Sequence, residues 1–259
     1  MGLIFDIHST RLYDSWRHSA GGRAMDSFLE RLIPELLRPR QNESVLDIGC
    51  GTGNHLLLLN RFGLDINGVD ASPYMIDIAR KRLGNRCTLK TGNATDLPFD
   101  DNEFDLAVLI NTLEFLDDPL EALREAGRVA KRKVFIAVIN SLSWYSVYNK
   151  LQGIFIDALF RHLKLYHLWE LKSCLRIAYG PVPIAWASEY SLPRILNQVG
   201  VFRHNTRRLS CWPFGPFLGL SVTVDYTLKT DNLPLKIGIK KAEQSVAGGI
   251  TTMGKLTKQ

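Results

Sequence analysis

The feature that most constrains this chain is a glycine-rich loop that directly follows a short apolar run. The run covers residues 44–49, and Gly49, Gly51 and Gly53 stand at alternate positions. Glycine adopts backbone conformations that other residues avoid, so such a loop can turn sharply and approach a ligand closely. A helical pattern over 55–63 follows, and the start of a helix offers unpaired N–H groups to an anion. The sequence therefore predicts a strand, a ligand-binding turn and a helix in succession.

Apolar runs and amphipathic segments continue to alternate up to about residue 140. The predicted strands are 44–49, 65–70, 87–92, 104–110 and 133–139. The predicted helices between them are 55–63, 73–83 with Ser72 as its cap, and 119–130. This alternation is typical of an α/β fold with a Rossmann-like, doubly wound and mostly parallel sheet, in which ligands bind at the carboxyl ends of the strands.

The flanking segments have different patterns. Helical periodicity over 10–38 predicts an N-terminal cap, whereas eight aromatic residues between 144 and 179 interrupt the alternation. Within that interruption, an apolar stripe over 151–163 fits a helix packed on the core, a lid over a hydrophobic acceptor, or a transient contact with a membrane surface. A capped helix at 191–200 and strands near 202–209 and 219–228 are expected to complete the sheet. The predicted divisions are a helical cap over 1–43, the core over 44–140, a helical lid insertion over 141–187, the completing helix and strands over 188–230, and a basic tail over 231–259.

Charge and cysteine content exclude several classes of protein. The net charge is +6, but residues 229–259 hold six lysines against two acidic residues, which leaves only +2 for the rest of the chain. The basic net charge therefore does not indicate a nucleic-acid partner for the body of the chain. No apolar run reaches the roughly 20 residues that a membrane-spanning helix needs. Four scattered cysteines suit reduced thiols, so a cytoplasmic location is expected.

Two common phosphate-binding motifs do not fit the loop. The dinucleotide fingerprint G-x-G-x-x-G would begin at Gly49 and require glycine where Asn54 stands, and the phosphate loop G-x-x-x-x-G-K-[ST] is absent. Asp70 closes the second predicted strand, where a carboxylate can accept both hydroxyls of a ribose or can cap a helix. Asn93 and Ala94 follow the third strand, where a short polar residue beside a small one can meet an adenine edge.

Four segments, in this order and spacing, resemble the class I S-adenosylmethionine-dependent methyltransferases, in particular the methyltransferase type 11 group. They are VLDIGCGTG, VDASPYMIDIAR, GNATDLPFDDNEFDLAV and DPLEALREAGRVAK, and the resemblance covers about residues 44–140. It implies a class I methyltransferase fold and the transfer of a methyl group from S-adenosyl-L-methionine, with S-adenosyl-L-homocysteine as the product.

The resemblance also implies twelve cofactor-binding residues. The methionine part would be held by Asp47, Gly49, Gly51 and Gly53. The ribose hydroxyls and the adenine would be held by Asp70, Ala71, Met75, Asn93 and Ala94. The remaining three are Asn111 and Thr112, which would line the cofactor after strand four, and Tyr13, which would cap the site from the N-terminal helix.

The acceptor is less constrained than the cofactor. Because the methyl group of a sulfonium is already activated, alignment of the acceptor and exclusion of water suffice for transfer, and a general base helps a hydroxyl or an acidic carbon. Glu114 follows strand four and could be that base or bind substrate; alternatively, it could form a buried ion pair or place its charge at a helix start. The sequence lacks the Asn/Asp-Pro-Pro-aromatic motif of enzymes that methylate nucleic-acid bases, and no metal site is expected. We expect a small, hydrophobic or aromatic acceptor; a non-catalytic cofactor-binding protein is the alternative.

Overall fold

A computed structural model describes residues 4–143, 163–189 and 209–224. The α-helices are α1 (Ile7–Arg17), α2 (Ala20–Leu32), α3 (Asn54–Arg61), α4 (Pro73–Leu83), α5 (Pro119–Val129) and α6 (Leu168–Tyr179). The strands are β1 (Ser44–Ile48), β2 (Asp65–Asp70), β3 (Thr88–Thr91), β4 (Phe104–Ile110), β5 (Ala130–Ile139), β6 (Ile184–Glu189), β7 (Leu209–Ser210) and β8 (Phe217–Thr223). A π-helical turn at Ile33–Leu37 extends α2, and 3₁₀ turns lie at Gly84–Arg86 and Leu113–Phe115.

The eight strands form a single sheet in the order β3-β2-β1-β4-β5-β8-β6-β7. Strands β1 to β5 run parallel, and β8 lies antiparallel between β5 and β6. The strand order reverses between β1 and β4, which in open α/β sheets is the point where ligands bind. The predicted α/β fold with a mostly parallel sheet is confirmed.

The apolar core lies on both faces of this sheet. Successive strand residues alternate between two clusters: Leu46 and Ile48 belong to the cluster that contains α5 and α6, whereas Val45 belongs to the one that contains α2, α3 and α4. Successive side chains of a strand point to opposite faces, so the two clusters mark the two helical layers. The helices therefore hold the carboxyl ends of β1, β2 and β4 at one fixed edge.

Local sequence signals account for the helix starts near that edge. Ser72 accepts a hydrogen bond from the N–H of Met75, with Pro73 at the first helical position of α4. Asp118 accepts one from the N–H of Glu121, with Pro119 starting α5. Side-chain oxygens at this position satisfy N–H groups that a helix leaves unpaired, and proline lacks the N–H that would be unpaired.

The segment predicted as one helical stretch over 10–38 is divided into two helices. The Ser19 side chain caps α2 by accepting from the N–H of Gly22. A β-carbon at Gly22 would lie 2.2 Å from the carbonyl oxygen of Arg17, so only glycine allows the chain to turn this tightly after α1.

The predicted lid over 141–187 differs from the structure in its second half. Strand β6 begins at Ile184 and pairs with β8, so the C-terminal part of the sheet starts four residues before the predicted boundary at 188. Helix α6 packs on α5, where the Tyr179 hydroxyl donates to the Leu123 carbonyl and the Tyr179 ring lies over Gly127. This half belongs to the core because its apolar residues, Leu168, Leu171 and Leu175, are buried in the cluster that covers the sheet.

Other predicted elements fall wholly or partly beyond the described ranges. The predicted strand 219–228 is observed at Phe217–Thr223. Of the predicted strand 202–209, the structure describes only the last residue, Leu209, and of the apolar stripe over 151–163 it describes only Leu163. The predicted helix 191–200 and the tail 231–259 lie outside the described residues. No helix in the described part of the chain is long and apolar enough to span a membrane.

The packing of α6 on the core predicts a contrast between two of its residues. Leu175→Ala removes a fully buried side chain and should lower the free energy of unfolding by about 2–5 kcal/mol. Ile177→Ala on the same helix, where the side chain is 59% exposed, should change it by less than about 0.5 kcal/mol. Urea denaturation of both variants measures the difference; equal, small effects would mean that α6 is a loosely attached lid.

Candidate active site

A cavity opens at the carboxyl ends of the first four strands. Ten of the twelve residues predicted to hold the cofactor line it: Tyr13, Gly49, Gly51, Asp70, Ala71, Met75, Asn93, Ala94, Asn111 and Thr112. Six further residues line the cavity that were not predicted from the sequence: Ile4, Phe5, Val69, Gly92, Phe115 and Leu116. The structure therefore brings together residues that are separated by about a hundred positions in the chain.

The glycine loop needs its glycines for different reasons. Gly49, Gly51 and Gly53 have φ angles of +76°, +53° and +80°, in the region that favours glycine. A β-carbon at Gly49 would lie 2.5 Å from Cγ2 of Thr112, whereas one at Gly51 would meet only ordinary contacts. Gly53 caps α3 and packs against Leu83, and it does not line the cavity. Its role is therefore to let the loop pass close to α4.

The loop is fixed to two neighbouring strands by hydrogen bonds. The N–H groups of Gly49 and Cys50 donate to the carbonyl of Val69 at 2.8 and 3.0 Å. The hydroxyl of Thr112 donates to the carbonyl of Ile48 at 2.8 Å, which ties the end of β4 to the end of β1. The floor of the cavity is thus one hydrogen-bonded unit that spans β1, β2 and β4.

Asp70 joins this loop to the next helix. Its Oδ2 accepts from the N–H of Gly51 and its Oδ1 from the N–H of Ser72, both at 2.8 Å. Burial raises the pKa of Asp70 above its usual value, although both hydrogen bonds oppose that rise. The side chain that caps α4 is Ser72, not Asp70. Asp70 lines the cavity and at the same time holds the glycine loop.

Asp47, in contrast, lies under the cavity and is not among its lining residues. It is completely buried in β1, and both carboxylate oxygens lack a hydrogen-bond partner among the described residues. Burial, with the Asp70 carboxylate nearby, raises the pKa of Asp47 to about 8, and Arg17 opposes this rise. A buried acid without a partner is costly to ionise unless a cation arrives beside it.

The β3 end of the cavity carries small and apolar residues around one amide. Oδ1 of Asn93 accepts from the N–H of Thr95 at 3.2 Å, which leaves the amide nitrogen of Asn93 for another partner. Ala94 and Met75 are buried beside it. This part of the cavity suits a flat ring with a polar edge.

The N-terminal segment closes the cavity from above. The hydroxyl of Ser72 donates to the Phe5 carbonyl at 2.6 Å. The Phe5 ring packs edge-on against Tyr13 and Phe115, with ring centroids 5.8 and 5.0 Å apart. Sequence reasoning missed Phe5 because a single aromatic residue near the N-terminus carries no periodic signal; Phe115 could have been found from its position beside Glu114.

A buried arginine, which no sequence pattern predicts, lies near the glycine loop. Arg17 is 5% exposed; its guanidinium lies 2.9 Å from Nε2 of His55 and donates to Asp26 at 2.6 Å. Burial, with Arg17 beside it, holds the pKa of His55 well below its usual value, so this imidazole is neutral. A second arginine, Arg82, donates to the carbonyl of Thr52 and stabilises the glycine loop from the α4 side.

Glu114 is held beside the cavity, in the 3₁₀ turn after β4. It is 2% exposed, and its Oε1 accepts from the N–H of Ile139 at 2.9 Å. Its Oε2 is buried and lacks a hydrogen-bond partner in the described ranges. Burial raises the pKa of Glu114 to about 7, and no charged side chain of the described residues contributes to this shift. The structure thus gives no support to the alternative of a buried ion pair.

Glu114 faces a second, narrow pocket, which we call the aromatic pocket. It is lined by Tyr13, Trp16, Asn111, Glu114, Phe115, Ile139 and Leu163. Tyr13, Asn111 and Phe115 line the main cavity as well, so the two spaces meet at these residues. Among the residues that the structure describes, no group of three or more His, Cys, Asp or Glu side chains is placed to hold a metal ion.

Comparison with known proteins identifies relatives of this fold and sequence. A model of the methyltransferase domain family matches residues 46–138. A demethylmenaquinone methyltransferase of Thermotoga maritima is 34% identical over 177 residues, which cover 62% of this chain and 77% of that protein.

Solved structures agree with the sequence matches. One from Thermotoga maritima, a SAM-dependent methyltransferase described as a possible histamine N-methyltransferase, has a TM-score of 0.62 at 20% identity and covers 83% of this chain and 95% of that one. The magnesium protoporphyrin IX methyltransferase of Synechocystis, with bound S-adenosylhomocysteine, has a TM-score of 0.55 at 17% identity and covers 78% of this chain and 82% of that one. At these identities the structural likeness establishes the fold alone.

The geometry of the glycine loop predicts that two similar substitutions differ in cost. Gly51→Ala should lower the free energy of unfolding by about 1–2 kcal/mol, the cost of a left-handed conformation for a residue with a β-carbon. Gly49→Ala should cost more, because the added methyl group also displaces Thr112 and its hydrogen bond to Ile48. Denaturant titration of both variants tests this; a Gly49→Ala protein as stable as Gly51→Ala would contradict the loop geometry.

Proposed function

The chain belongs to the S-adenosylmethionine-dependent methyltransferases, and we propose that it transfers the methyl group of S-adenosyl-L-methionine to a small hydrophobic or aromatic molecule. The proposal of a small hydrophobic or aromatic acceptor rests on one observation: the main cavity and the aromatic pocket lie side by side. A cavity whose floor is the glycine loop shares Tyr13, Asn111 and Phe115 with a second pocket that has aromatic walls and one buried acid.

The residues of the cavity fit the parts of the cofactor. The buried carboxyl group of Asp47 lies beneath the loop and outside the cavity lining, so its charge would attract the ammonium group of the methionine part without touching it. Asp70, at the end of β2, would accept the ribose hydroxyls. Asn93 with Ala94 and Met75 would hold the adenine, with the amide on its polar edge. Gly49, Gly51, Asn111, Thr112 and Tyr13 would line the remaining length, and Gly53 would act only through the shape of the loop.

Several observations support a small acceptor. The relative in Thermotoga maritima is named for demethylmenaquinone, and the structural neighbours are named for histamine and for magnesium protoporphyrin IX. All three are small molecules rather than nucleic acids or proteins. The excess positive charge of this chain is concentrated in residues 229–259, which leaves only +2 for residues 1–228. The apolar stripe over 151–163 would allow a transient membrane contact if the acceptor partitions into lipid.

In the proposed reaction the acceptor attacks the methyl carbon opposite the sulfur. The bound cofactor supplies a methyl group that its sulfonium has already activated. A lone pair of the acceptor heteroatom forms the new bond to carbon, and the carbon–sulfur bond breaks to leave a neutral thioether. The proton of the acceptor passes to Oε2 of Glu114, the carboxyl oxygen without a partner. A base with a pKa of about 7 is matched to this task near neutral pH.

The assignment of the ribose site predicts a loss of cofactor affinity. Asp70→Ala should weaken S-adenosylhomocysteine binding roughly 10- to 150-fold, because hydrogen bonds to a charged group contribute about 1.5–3 kcal/mol. Asp65→Ala, at the exposed other end of β2, is the matched control and should bind normally. Calorimetry gives both affinities, and unchanged binding by a folded Asp70→Ala protein would remove Asp70 from the site.

The assignment of Glu114 predicts a change in rate and in pH dependence. With cofactor labelled in its methyl group and a cell extract as the source of acceptor, Glu114→Gln should lower turnover roughly 10²–10⁴-fold. The wild-type rate should rise with pH and level off above about 7, because only the ionised carboxylate accepts a proton, and this rise should vanish in the variant.

Two outcomes of the same assay would contradict this scheme. A fully active Glu114→Gln protein would leave alignment alone as the source of catalysis. A wild-type protein that binds S-adenosylmethionine tightly but labels nothing in any extract fraction would favour the alternative, a non-catalytic cofactor-binding protein.

A further inference from the structure

We infer that three exposed aromatic residues at the carboxyl edge of the sheet, Trp169, Trp212 and Phe214, dock the protein on the surface of an anionic lipid bilayer. We call these three residues the exposed rim. They are distinct from the apolar stripe over 151–163. The inference rests on the proposed function only for its purpose, which is to bring a lipid-soluble acceptor to the cavity.

The exposed rim leaves large aromatic side chains in contact with water. Trp169 is 54% exposed, Trp212 46% and Phe214 36%. The rings of Trp212 and Phe214 pack edge-on, with centroids 5.3 Å apart. Single exposed apolar residues are common on protein surfaces, whereas a group of them at one place marks an interaction site.

One buried residue holds both segments that carry the rim. Asn140 directly follows β5 and is fully buried. Its amide nitrogen donates to the carbonyls of Pro213 and Gly215, at 2.8 and 2.7 Å. Asn140 also forms a β-bridge to Tyr166, three residues before Trp169. The loop that precedes β8 and the start of α6 therefore meet at the end of β5, on the edge where the cavity lies.

The loop that carries Trp212 and Phe214 is docked tightly on the sheet. The buried hydroxyl of Ser188 donates to the Trp212 carbonyl. A β-carbon at Gly215 would lie 2.0 Å from the carbonyl oxygen of Glu189, so the loop passes directly over the end of β6. The fold thus uses buried polar side chains to hold the loop, while its aromatic rings stay outside. A surface that is already ordered loses little conformational freedom on binding.

Two cations lie beside the rim on the same face of α6. Lys172 and Arg176 follow Trp169 at helical spacing, so their side chains share its side of the helix. The ammonium group of Lys172 lies 4.8 Å above the Trp186 ring. Among the described residues, neither cation has a carboxylate within ion-pair distance.

The acids near the rim are paired instead. The carboxylate of Glu170 lies 3.6 Å from the ammonium group of Lys164, and that of Glu189 lies 2.8 Å from the guanidinium of Arg31. The surface therefore combines exposed tryptophans with cations that lack a carboxylate partner. Tryptophan is enriched at the interface between membrane and water, and lysine and arginine are attracted to anionic headgroups. An anionic bilayer is the partner that complements both features.

The rim lies close to the acid proposed as the base. The N–H of Ile139, the residue before Asn140, donates to Oε1 of Glu114, and the N–H of Lys164 donates to the Glu114 carbonyl at 3.0 Å. A bilayer seated on the rim would therefore adjoin the acceptor side of the site. An acceptor that partitions into lipid would have a short path to the cavity.

Co-sedimentation of the full chain with lipid vesicles tests the inference without cofactor or acceptor. The probes are vesicles of phosphatidylcholine and phosphatidylglycerol in equal parts. Trp169→Ser and Trp212→Ser should each weaken binding roughly tenfold, because a large apolar side chain no longer enters the bilayer. Ile177→Ser is the matched control: it also removes an exposed apolar side chain from α6, but roughly 12 Å further along the helix, and should bind like the wild type.

Three results would overturn the inference at this step. The wild type does not bind the mixed vesicles, the two tryptophan variants bind as tightly as Ile177→Ser, or pure phosphatidylcholine vesicles bind as tightly as the mixed ones. Urea denaturation of each variant checks that the fold is retained, as expected for exposed side chains.

A pair of lysine variants separates the rim from net charge. Lys172→Gln should weaken binding to the mixed vesicles about 3- to 5-fold, because a cation next to an anionic surface is lost. Lys81→Gln removes the same charge from an exposed position on α4, on the other face of the sheet, and should have no effect. Equal losses in both would mean that the vesicles respond only to total charge, including that of residues 229–259, and would contradict the inference.

Self-association and failure of the proposed function give different results. If the protein alone forms a dimer that Trp212→Ser dissociates, and the wild type does not bind vesicles, the rim is an interface between copies and the inference is wrong. If the wild type binds no S-adenosylhomocysteine, the proposed function fails whatever the vesicles show. If it binds S-adenosylhomocysteine normally but no vesicles, the inference about the rim fails alone.

Discussion

Two backbone N–H groups, those of Gly51 and Ser72, donate to the two oxygens of one carboxylate, Asp70, and the shape of the cavity depends on this pair of bonds. They hold the glycine loop against the start of α4. Ser72 in turn donates to the Phe5 carbonyl, so the same connection reaches the N-terminal segment that closes the cavity. The glycine loop, the start of α4 and the N-terminal segment are thus connected by consecutive hydrogen bonds at the end of β2.

The polar groups that the fold leaves unsatisfied are concentrated around this cavity. Asp47, Asn111 and Glu114 each bury oxygen or nitrogen atoms without a hydrogen-bond partner in the described part of the chain. Buried polar atoms are usually paired, and leaving one unpaired costs about 1–3 kcal/mol. Three of them at one edge of a sheet are understandable if ligands offset the cost: the cofactor above Asp47 and beside Asn111, and the acceptor at Glu114.

The features that could be predicted from the sequence are those that local residue patterns determine. Strands β2 and β4 were placed at their observed bounds, as was the start of α4, because strand composition and capping residues specify them. The motif residues converge because carboxyl ends of parallel strands share one edge. What depends on tertiary packing was not predictable. The position of α6 on α5, the burial of Arg17 against His55, and the Phe5 cover arise between segments that no local pattern connects. Asp47 and Gly53 were predicted to touch the cofactor, but neither is among the residues that line the cavity.

A crystal structure of the complex with S-adenosylhomocysteine tests the central claim most directly. The account predicts the ribose hydroxyls on Asp70, the adenine between Met75 and Ala94, and the amino-acid end over the glycine loop above Asp47. It also predicts that the sulfur lies at the junction with the aromatic pocket, toward Asn111. A product bound with its sulfur directed away from that junction, or bound outside this cavity, would contradict the account.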